Sequence, residues 1–385
     1  MQSTTLSPRR AVCAFLVGTV LFICTALACA IVVDPIGIWG VPPIWGWTNV
    51  HSEQEHYYEV FRPYDYARQQ PEEVIIGTSR CLFSMCPPSG GYNFAVPVLS
   101  FPHMRTYLRY MYAVHTPSRI ILCLDPVQFT TDAYEMRGPF AKPNYRLWRL
   151  ELAAAGRVPR LMGALIDSLM TVPMVPKVIV QSHCSPEQGA DFLRGYNARH
   201  GEQSAVDPDG YYGAMTTILS QGDFTYPYDE RAVACLDEIL REAKAHGVEV
   251  TAYFPPLSID ELVCYDILGK QQQIDFIKRE VAKRMNVYDF AWASRDNIDV
   301  KDNYIDLIHT HRRYGDRIAA ALRTGDVQGN GWLLTQTTIE TALAAEHASY
   351  QAWADMHRTH IGQVRNYIES CSPIPVGAFR DTLGF

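Results

Sequence analysis

The feature that most constrains this chain is an uncharged and mostly apolar segment over residues 11–33. As a helix that rises ~1.5 Å per residue, the segment is about 35 Å long, whereas the hydrocarbon core of a bilayer is about 30 Å thick. Arg9 and Arg10 precede it, and the first charge after it is Asp34. Because positive charge is retained in the cytoplasm, we predict a single-pass anchor in the cytoplasmic (inner) membrane, with residues 1–10 inside and the main domain periplasmic or otherwise extracytoplasmic.

The processing of this segment has more than one interpretation. Ala28-Cys29-Ala30 resembles a small-residue cleavage site. The apolar run continues through Val33, which favours an uncleaved anchor. Cys29 as a lipidated cysteine is a third alternative, although residues 26–28 are a poor version of that signal. The tryptophans that follow are typical either of an aromatic belt at the outer interface or of a loop packed on the globular body; they are Trp39, Trp45 and Trp47.

The composition is that of a globular protein, with 48% hydrophobic and 19% charged residues. Such a chain buries enough apolar surface to offset the entropy lost on folding, which excludes a disordered protein. The 34 Lys and Arg residues are outnumbered by 41 Asp and Glu residues, which gives a net charge of −7, and they form no long basic run. Since nucleic-acid binding needs clustered positive charge, we predict no nucleic-acid partner.

Beyond residue 70 the hydrophobic pattern alternates between strands and helices. Short apolar runs bounded by turn residues predict strands at 73–77, 119–124, 248–254 and 286–290. Apolar residues at helical spacing predict helices at 104–114, 229–246 and 272–285. The alternation predicts an α/β fold, a three-layer parallel sheet with helices on both faces, in which ligands bind at the carboxyl ends of the strands.

The pattern also predicts how the chain is divided. The alternation breaks at about 140–227, and a glycine-rich linker follows Arg323. We therefore predict a juxtamembrane segment at 34–70, an α/β domain at 71–325 with an insertion at about 140–227, and a C-terminal helical extension at 326–385 with one helix over 337–370. Within the insertion, Leu161, Leu165 and Leu169 predict an amphipathic helix that forms ordinary core, a lid or a membrane-facing element, and core is the interpretation we favour.

A serine at the end of the first predicted strand is the first candidate for chemistry. Gly77-Thr78-Ser79-Arg80 follows this strand directly. A serine there projects from the carboxyl edge of the sheet, where backbone N–H groups stabilise a developing oxyanion. A helix N-cap or a simple turn is the alternative interpretation of this sequence.

An aspartate and a histidine three residues apart are the second candidate. Asp306 and His309 lie within reach of each other in a turn or a helix start, so the carboxylate can orient the imidazole as a general base. The alternative is an aspartate that caps a helix and a histidine that belongs to the core. His311 completes a His-x-His pair, but no carboxylate pattern accompanies it, so we predict no metal site and no cofactor.

Together these motifs closely resemble the SGNH/GDSL hydrolase superfamily. The resemblance is closest to membrane-anchored members that act on cell-envelope polymers, including alginate O-acetylation proteins and the D-alanyl-lipoteichoic acid transfer protein. It covers scattered blocks at 73–80, 92–95, 119–125, 252–256, 287–290 and 303–309. The resemblance implies an SGNH-hydrolase-like fold in which Ser79 is the nucleophile, His309 the general base and Asp306 its orienting partner.

The resemblance also implies where an oxyanion is bound. The N–H of Ser79 or Arg80 supplies part of the hole, and Asn93 lies in the block that usually contributes a backbone or side-chain donor. The third block departs from the family, because Leu124-Asp125-Pro126-Val127 stands where Gly-x-Asn-Asp is usual. Loss of one oxyanion donor typically costs about 10²–10³ in rate. Asp125 either holds the strand end or contacts Arg80.

The function implied is that of a membrane-anchored, extracytoplasmic serine-dependent O-acyltransferase or esterase. Its substrate is a cell-envelope or secreted polysaccharide, and O-acetyl transfer from a polytopic membrane partner that exports the acyl group is the expected reaction. The alternative is a catalytically weak SGNH-like scaffold or binding subunit of a polysaccharide modification or export complex. The altered third block and the C-terminal extension favour this alternative.

Overall fold

The computed structural model describes residues 7–41, 58–87, 90–137, 150–156, 160–175, 227–327 and 329–371. The chain divides into two compact units. The first unit consists of Met1–Gln69 and Ala155–Leu193, and the second of Gln70–Ala154 and Arg194–Phe385. The first unit therefore combines parts that the sequence analysis treated separately, namely the anchor, the juxtamembrane segment and the middle of the predicted insertion. Most of that insertion, together with Trp45 and Trp47, lies outside the described residues.

The helices are numbered along the chain over its described parts. They are α1 (Pro8–Val33), α2 (Tyr58–Gln69), α3 (Ser79–Ser84), α4 (Phe101–Val114), α5 (Thr131–Tyr134), α6 (Arg160–Thr171), α7 (Glu230–Ala245), α8 (Ile259–Leu268), α9 (Gln271–Ala282), α10 (Arg295–Ile298), α11 (Val300–Asn303), α12 (Arg312–Thr324), α13 (Ile339–Met356) and α14 (Arg358–Cys371). Short 3₁₀ helices cover Pro126–Phe129 and Val172–Met174.

The second unit contains one six-stranded sheet in the order β2-β1-β3-β4-β5-β6. Its strands are β1 (Glu73–Ile76), β2 (Gly91–Asn93), β3 (Arg119–Cys123), β4 (Glu249–Phe254), β5 (Val287–Asp289) and β6 (Trp332–Leu334). Neighbouring strands are parallel from β2 to β5, and β6 is antiparallel to β5. In the central register, Ile75 of β1 pairs with Ile121 of β3, which pairs with Thr251 of β4.

The mostly parallel α/β character predicted from the sequence is confirmed. The four predicted strands are present as β1, β3, β4 and β5, and the predicted helices at 104–114, 229–246 and 272–285 as α4, α7 and α9. β1 and β3 are almost wholly buried, as expected for central parallel strands that read as continuous apolar runs. Helix α7 begins after Asp229, which accepts a hydrogen bond from the Arg231 N–H, and ends before Gly247 at a φ of 71°.

Helix α8 was not predicted, because nearly all of its side chains are buried and the usual alternation of apolar and polar residues is missing. Its start is nevertheless marked locally. Ser258 follows Pro255-Pro256 and accepts a hydrogen bond from the N–H of Glu261, three residues on, at 3.2 Å. Leu161 and Leu169 are 60% and 40% exposed, so the interpretation of the α6 leucines as ordinary core was wrong for these two, while Leu165 is half-buried.

The C-terminal extension differs from the single helix expected over 337–370. It begins with β6, and two helices follow, with His357 at the end of α13. A buried ion cluster joins it to the rest of the second unit, since Lys278 of α9 contacts Asp289 of β5 and Glu346 of α13, each at 2.7 Å. Burial lowers the Lys278 pKa, but the two carboxylates raise it above its usual range, so the ammonium stays charged. Burial and the Asp289 charge raise the pKa of Glu346 despite Lys278.

Helix α1 lies in the first unit and is long and apolar enough to cross a membrane. It begins with Pro8 after Ser7, a position where the missing proline N–H costs no helical hydrogen bond. It ends at Asp34, whose backbone adopts a left-handed conformation and whose carboxylate accepts hydrogen bonds from the N–H groups of Trp39 and Val41. The chain after the apolar segment is thus folded back on the end of the helix.

Candidate active site

The turn between β1 and α3 places Ser79 at the carboxyl edge of the sheet, as the sequence predicted. A Cβ on Gly77 would lie 2.5 Å from Cβ and 2.9 Å from the carbonyl oxygen of Cys123, so the chain approaches β3 more closely than any side chain permits. Thr78 is the N-cap of α3, and its hydroxyl accepts a hydrogen bond from the Arg80 N–H at 3.4 Å. Ser79 is therefore the first residue of α3, and it is half-buried.

Asp306 and His309 form an oriented pair. The Nδ1 atom of His309 lies 2.7 Å from Oδ2 of Asp306. The other carboxylate oxygen, Oδ1, accepts hydrogen bonds from the backbone N–H groups of Ile308 at 2.9 Å and His309 at 2.8 Å. Burial alone would raise the pKa of Asp306, but His309 and these two N–H donors lower it to about 2. The carboxylate is thus charged near neutral pH and fixes one nitrogen of the imidazole.

The remaining face of the imidazole meets α3. The His309 ring packs against the edge of Phe83, with ring centroids 4.6 Å apart and planes at 80°. Phe83 follows Ser79 by four residues in α3, and residues at this spacing lie on the same face of a helix. Nε2 of His309 is buried and forms no hydrogen bond, so the Ser79 hydroxyl does not donate to it in this state. In enzymes without bound substrate such a bond is often long and closes only in the reactive complex.

Two further contacts join α3 to the Asp306–His309 turn and to the helix after it. Nη1 of Arg80 donates to the carbonyl of Ile308 at 3.1 Å. Gly315 of α12 lies so close to Ser84 that a Cβ there would overlap the Ser84 carbonyl. The structure therefore packs α3, the helix that begins with Ser79, against the turn that holds Asp306 and His309, although more than 220 residues separate the serine from the pair.

Arg80 is the centre of a buried charge network. Its Nε donates to Oδ2 of Asp125 at 3.0 Å, and Nη1 donates to Oε2 of Glu261 at 3.1 Å. Nη2 donates to the second oxygen of Glu261, so this carboxylate is bound bidentately. Burial would lower the Arg80 pKa, but Glu261 and Asp125 raise it well above its usual range, which keeps the guanidinium charged. For Glu261 burial is the larger effect, and it raises the pKa to about 7 despite Arg80.

Asp125 takes both of the roles that the sequence left open. It contacts Arg80, and it caps the 3₁₀ helix after β3, where Oδ1 accepts a hydrogen bond from the Val127 N–H at 3.4 Å. The Thr78 hydroxyl donates to Oδ2 of Asp125 at 2.9 Å. The Asp125 carboxylate is therefore neutralised by Arg80 and fixed by hydrogen bonds.

Two predicted oxyanion donors are engaged elsewhere. Both amide hydrogens of Asn93 have partners, because Nδ2 donates to the carbonyls of Cys81 and Met85 at 2.9 Å each. This side chain supports the end of α3, so the structure does not place it as an oxyanion donor. The Arg80 N–H donates to Thr78. The N–H of Ser79 is left as the candidate donor, since the first residue of a helix has no intrahelical acceptor for it.

The contacts of Glu261 with Arg80 and of Phe83 with His309 were not predicted from the sequence. Glu261 lies at the third position after the N-cap Ser258, a pattern that reads as helix capping and hides its pairing with Arg80. Phe83 has the appearance of a core aromatic residue, and its contact with His309 depends on the tertiary fold. No local signal in the sequence points to either role.

The site as a whole offers an oriented imidazole with a free nitrogen, a hydroxyl on the adjoining helix, and a buried network that holds the two segments together. This set of groups fits nucleophilic acyl chemistry. No protein-family model matches the chain, and no curated protein matches its sequence.

Proposed function

We propose that this protein is a membrane-anchored, extracytoplasmic serine-dependent O-acyltransferase or esterase of the SGNH type, acting on a cell-envelope or secreted polysaccharide. The observation that carries the proposal is the Asp306–His309 pair, in which Nδ1 is held by the carboxylate at 2.7 Å while Nε2 is buried without a hydrogen-bond partner. This pair packs on the helix that begins with Ser79. Structural histidines in a core usually have both nitrogens satisfied.

In the proposed reaction Ser79 is the nucleophile, His309 the general base and acid, and Asp306 the partner of His309. The Ser79 oxygen attacks the carbonyl carbon of the acyl donor, and Nε2 of His309 takes the hydroxyl proton. The tetrahedral intermediate collapses, the bond to the leaving group breaks, and His309 returns the proton to that group. A polysaccharide hydroxyl, or water, then attacks the acyl-serine with His309 again as base, which releases the acylated product and restores Ser79. Asp306 stabilises the imidazolium in both halves.

The Arg80 network positions the reacting segments. Arg80 binds the Ile308 carbonyl within the Asp306–His309 turn, while its own backbone directly follows Ser79. Its second and third contacts, to Asp125 after β3 and Glu261 of α8, fix the guanidinium from both sides. Catalysis of this kind depends on sub-ångström placement, and buried bidentate ion pairs provide it.

The chain's architecture supports the wider proposal. A parallel arrangement from β2 to β5, with the serine after β1 and the Asp-His pair near the end of the α/β domain, is consistent with a three-layer SGNH-like sheet. Ala30 and Val33 of α1 pack on Val175, and Asp34 is bonded to the next segment. These contacts support a retained anchor rather than cleavage at residues 28–30. Arg9 and Arg10 favour an extracytoplasmic main domain, within reach of a polytopic acyl-exporting partner.

A second candidate function is a catalytically weak binding subunit of a polysaccharide modification or export complex. One observation favours it, namely that the Asn93 amide and the Arg80 N–H are engaged within the fold. With these two donors engaged, stabilisation of the oxyanion is weaker than in a site that keeps them, and loss of one donor typically costs about 10²–10³ in rate.

A fluorophosphonate probe separates the two functions. The purified full chain in detergent is exposed to the probe beside Ser79→Ala, His309→Ala and Ser84→Ala variants. Ser84 is the matched control, because it lies on the same helix and its hydroxyl donates to the Arg80 carbonyl at 2.6 Å, away from the chemistry. Stoichiometric labelling of the wild type and Ser84→Ala, with none in Ser79→Ala, supports the enzyme. Folded wild-type protein that stays unlabelled on prolonged exposure favours the binding subunit.

A further inference from the structure

Helix α6 of the first unit has its polar and apolar faces reversed relative to a helix of a soluble protein. Its buried side chains are polar or small: Asp167, Ser168 and Thr171 are 3%, 1% and 3% exposed, and Gly163 and Ala164 are buried beside them. Between residues 161 and 171, where burial is described, its exposed side chains are large and apolar; they are Leu161, Met162, Ile166, Leu169 and Met170, with exposures of 60%, 55%, 47%, 40% and 64%. Soluble helices bury the apolar stripe and expose the polar one.

Hydrogen bonds fix this orientation. The Tyr64 hydroxyl of α2 donates to Oδ2 of Asp167 at 2.7 Å, and the Trp39 indole donates to the Ser168 hydroxyl, also at 2.7 Å. The Thr171 hydroxyl donates to the Ser168 carbonyl at 2.8 Å. The Thr171 bond is internal to α6, but a rotation of α6 that buried Leu161 and Leu169 would break the bonds from Tyr64 and Trp39, so the exposed apolar face is built into the unit.

Helix α6 and the turn after it pack on the rest of the first unit through small and apolar residues. Ala164 lies in an apolar cluster with Ile36, Ile38 and Val60, while Val175, just after α6, lies in a second cluster with the last turn of α1. Small residues in close contact and polar side chains bonded to neighbouring segments are also the features by which helices associate in lipid, where burial of apolar surface gives no driving force.

The apolar surface of α6 continues that of α1. Most of α1 after Arg10 is also exposed, and its large apolar side chains there include Phe15, Leu21 and Phe22 at 73%, 62% and 73%. The two helices contact each other near the end of α1 remote from Arg9 and Arg10. Between residues 161 and 175 the one charged residue is Asp167, which is buried. A contiguous exposed apolar patch of this kind marks a site of contact with a protein or a membrane.

We propose that α6 is a second membrane contact, which enters the outer leaflet beside α1 with its exposed face against lipid acyl chains. The proposal rests on the membrane anchoring proposed above and is independent of the catalytic assignment. At 12 residues the helix is about 18 Å long, too short to cross a hydrocarbon core of about 30 Å, so it is embedded in one leaflet and does not span. A second contact fixes the tilt and rotation of the first unit in the membrane, which a single helix leaves free.

The exposed face of α6 is better explained by contact with lipid than by contact with a protein, because it adjoins the exposed apolar surface of α1. The face of α6 adjoins the surface of an anchor that is exposed along most of its length, and the two form one apolar surface. A second copy of the chain or another membrane protein would cover the same side chains, and each gives a different product in the test below.

Photo-crosslinking identifies the occupant directly. The full chain carrying Met170→p-benzoylphenylalanine is reconstituted in phosphatidylethanolamine/phosphatidylglycerol nanodiscs and irradiated, and a matched sample is irradiated in its native membranes. The same residue at Phe22 of α1 reports an anchor side chain in lipid. At Lys244, an exposed residue of α7, it reports a side chain in water. Leu161→p-benzoylphenylalanine is a second α6 variant, in case the first one fails to fold.

We expect a phospholipid adduct at position 170 or 161 with a yield close to that at position 22. We expect no phospholipid adduct at position 244. A dimer adduct, a heterologous protein adduct in native membranes, or no adduct at the α6 positions beside a strong one at position 22 would overturn the proposal and leave the anchor intact. Absence of a lipid adduct at position 22 as well would overturn both, without bearing on Ser79 chemistry.

Discussion

Replacement of Arg80 by methionine is the most informative perturbation of the buried network. The side chains of Arg80, Asp125 and Glu261 are 7%, 6% and 1% exposed, so the substitution removes a cation and leaves two carboxylates without it in a nearly dry site. Removal of one partner of a buried ion pair typically costs about 3–5 kcal/mol, because the charge left behind is desolvated and uncompensated. Glu261 relieves part of this by taking up a proton, since burial already raises its pKa to about 7.

The loss of Arg80 has a second, local consequence. The Ile308 carbonyl loses its donor, so the turn that presents His309 is no longer fixed to α3. We therefore expect Arg80→Met to slow fluorophosphonate labelling of Ser79 even in the fraction that remains folded. Arg80→Lys keeps a charge but cannot bind Glu261 bidentately, and it should lie between wild type and Arg80→Met in both stability and labelling rate.

Thermal unfolding of the detergent-solubilised full chain measures the cost. At roughly 2–4 °C per kcal/mol, a loss of about 3 kcal/mol lowers the midpoint by about 6–12 °C. Arg109→Met is the matched control, because Arg109 pairs with Glu242 at the surface and such pairs contribute about 1 kcal/mol or less. The double variant Arg80→Met/Glu261→Gln should recover part of the loss, since one stranded charge is removed. If Arg80→Met is no less stable than Arg109→Met, the network does not hold the fold and the positioning argument is wrong.

Three further substitutions test the site and its support. Asp306→Asn removes the charge that orients and stabilises His309, so labelling of Ser79 should slow by about 10²–10⁴-fold while circular dichroism stays unchanged; an unaltered labelling rate would contradict the assigned role. Gly77→Ala forces a Cβ against Cys123 and should cost about 1–3 kcal/mol in thermal unfolding, whereas Gly362→Ala, which meets no atom within 4 Å, should cost nothing. Burial raises the pKa of Glu261 from 4.5 to about 7. Between pH 4.5 and 7, Glu261 therefore keeps a proton in the folded chain that it loses in the unfolded chain. Stability should therefore fall by about 3 kcal/mol as the pH rises from 4.5 through 7, and Glu261→Gln should abolish that slope; equal slopes in both proteins would refute it.

The sequence determined the features that depend on neighbours along the chain. The long apolar helix α1, the four strands β1, β3, β4 and β5, and the caps at Asp229 and Gly247 follow from hydrophobic periodicity and local hydrogen bonding. The Asp306–His309 pair was predictable for the same reason, because a three-residue spacing in a turn brings the two side chains within hydrogen-bond distance. The place of Ser79 followed from the rule that a turn after a parallel strand lies at the carboxyl edge.

The tertiary structure decided everything that depends on residues distant in sequence. Arg80 meets Glu261 across 181 residues, and the amide of Asn93, which the family resemblance assigns to an oxyanion, is turned instead to the end of α3. The leucine spacing of α6 indicated an amphipathic helix, but which face is buried depends on hydrogen bonds from Trp39 and Tyr64, more than 100 residues away. Periodicity specifies that a helix has two faces, whereas the solvent or lipid that each face meets is set by the partners the fold supplies.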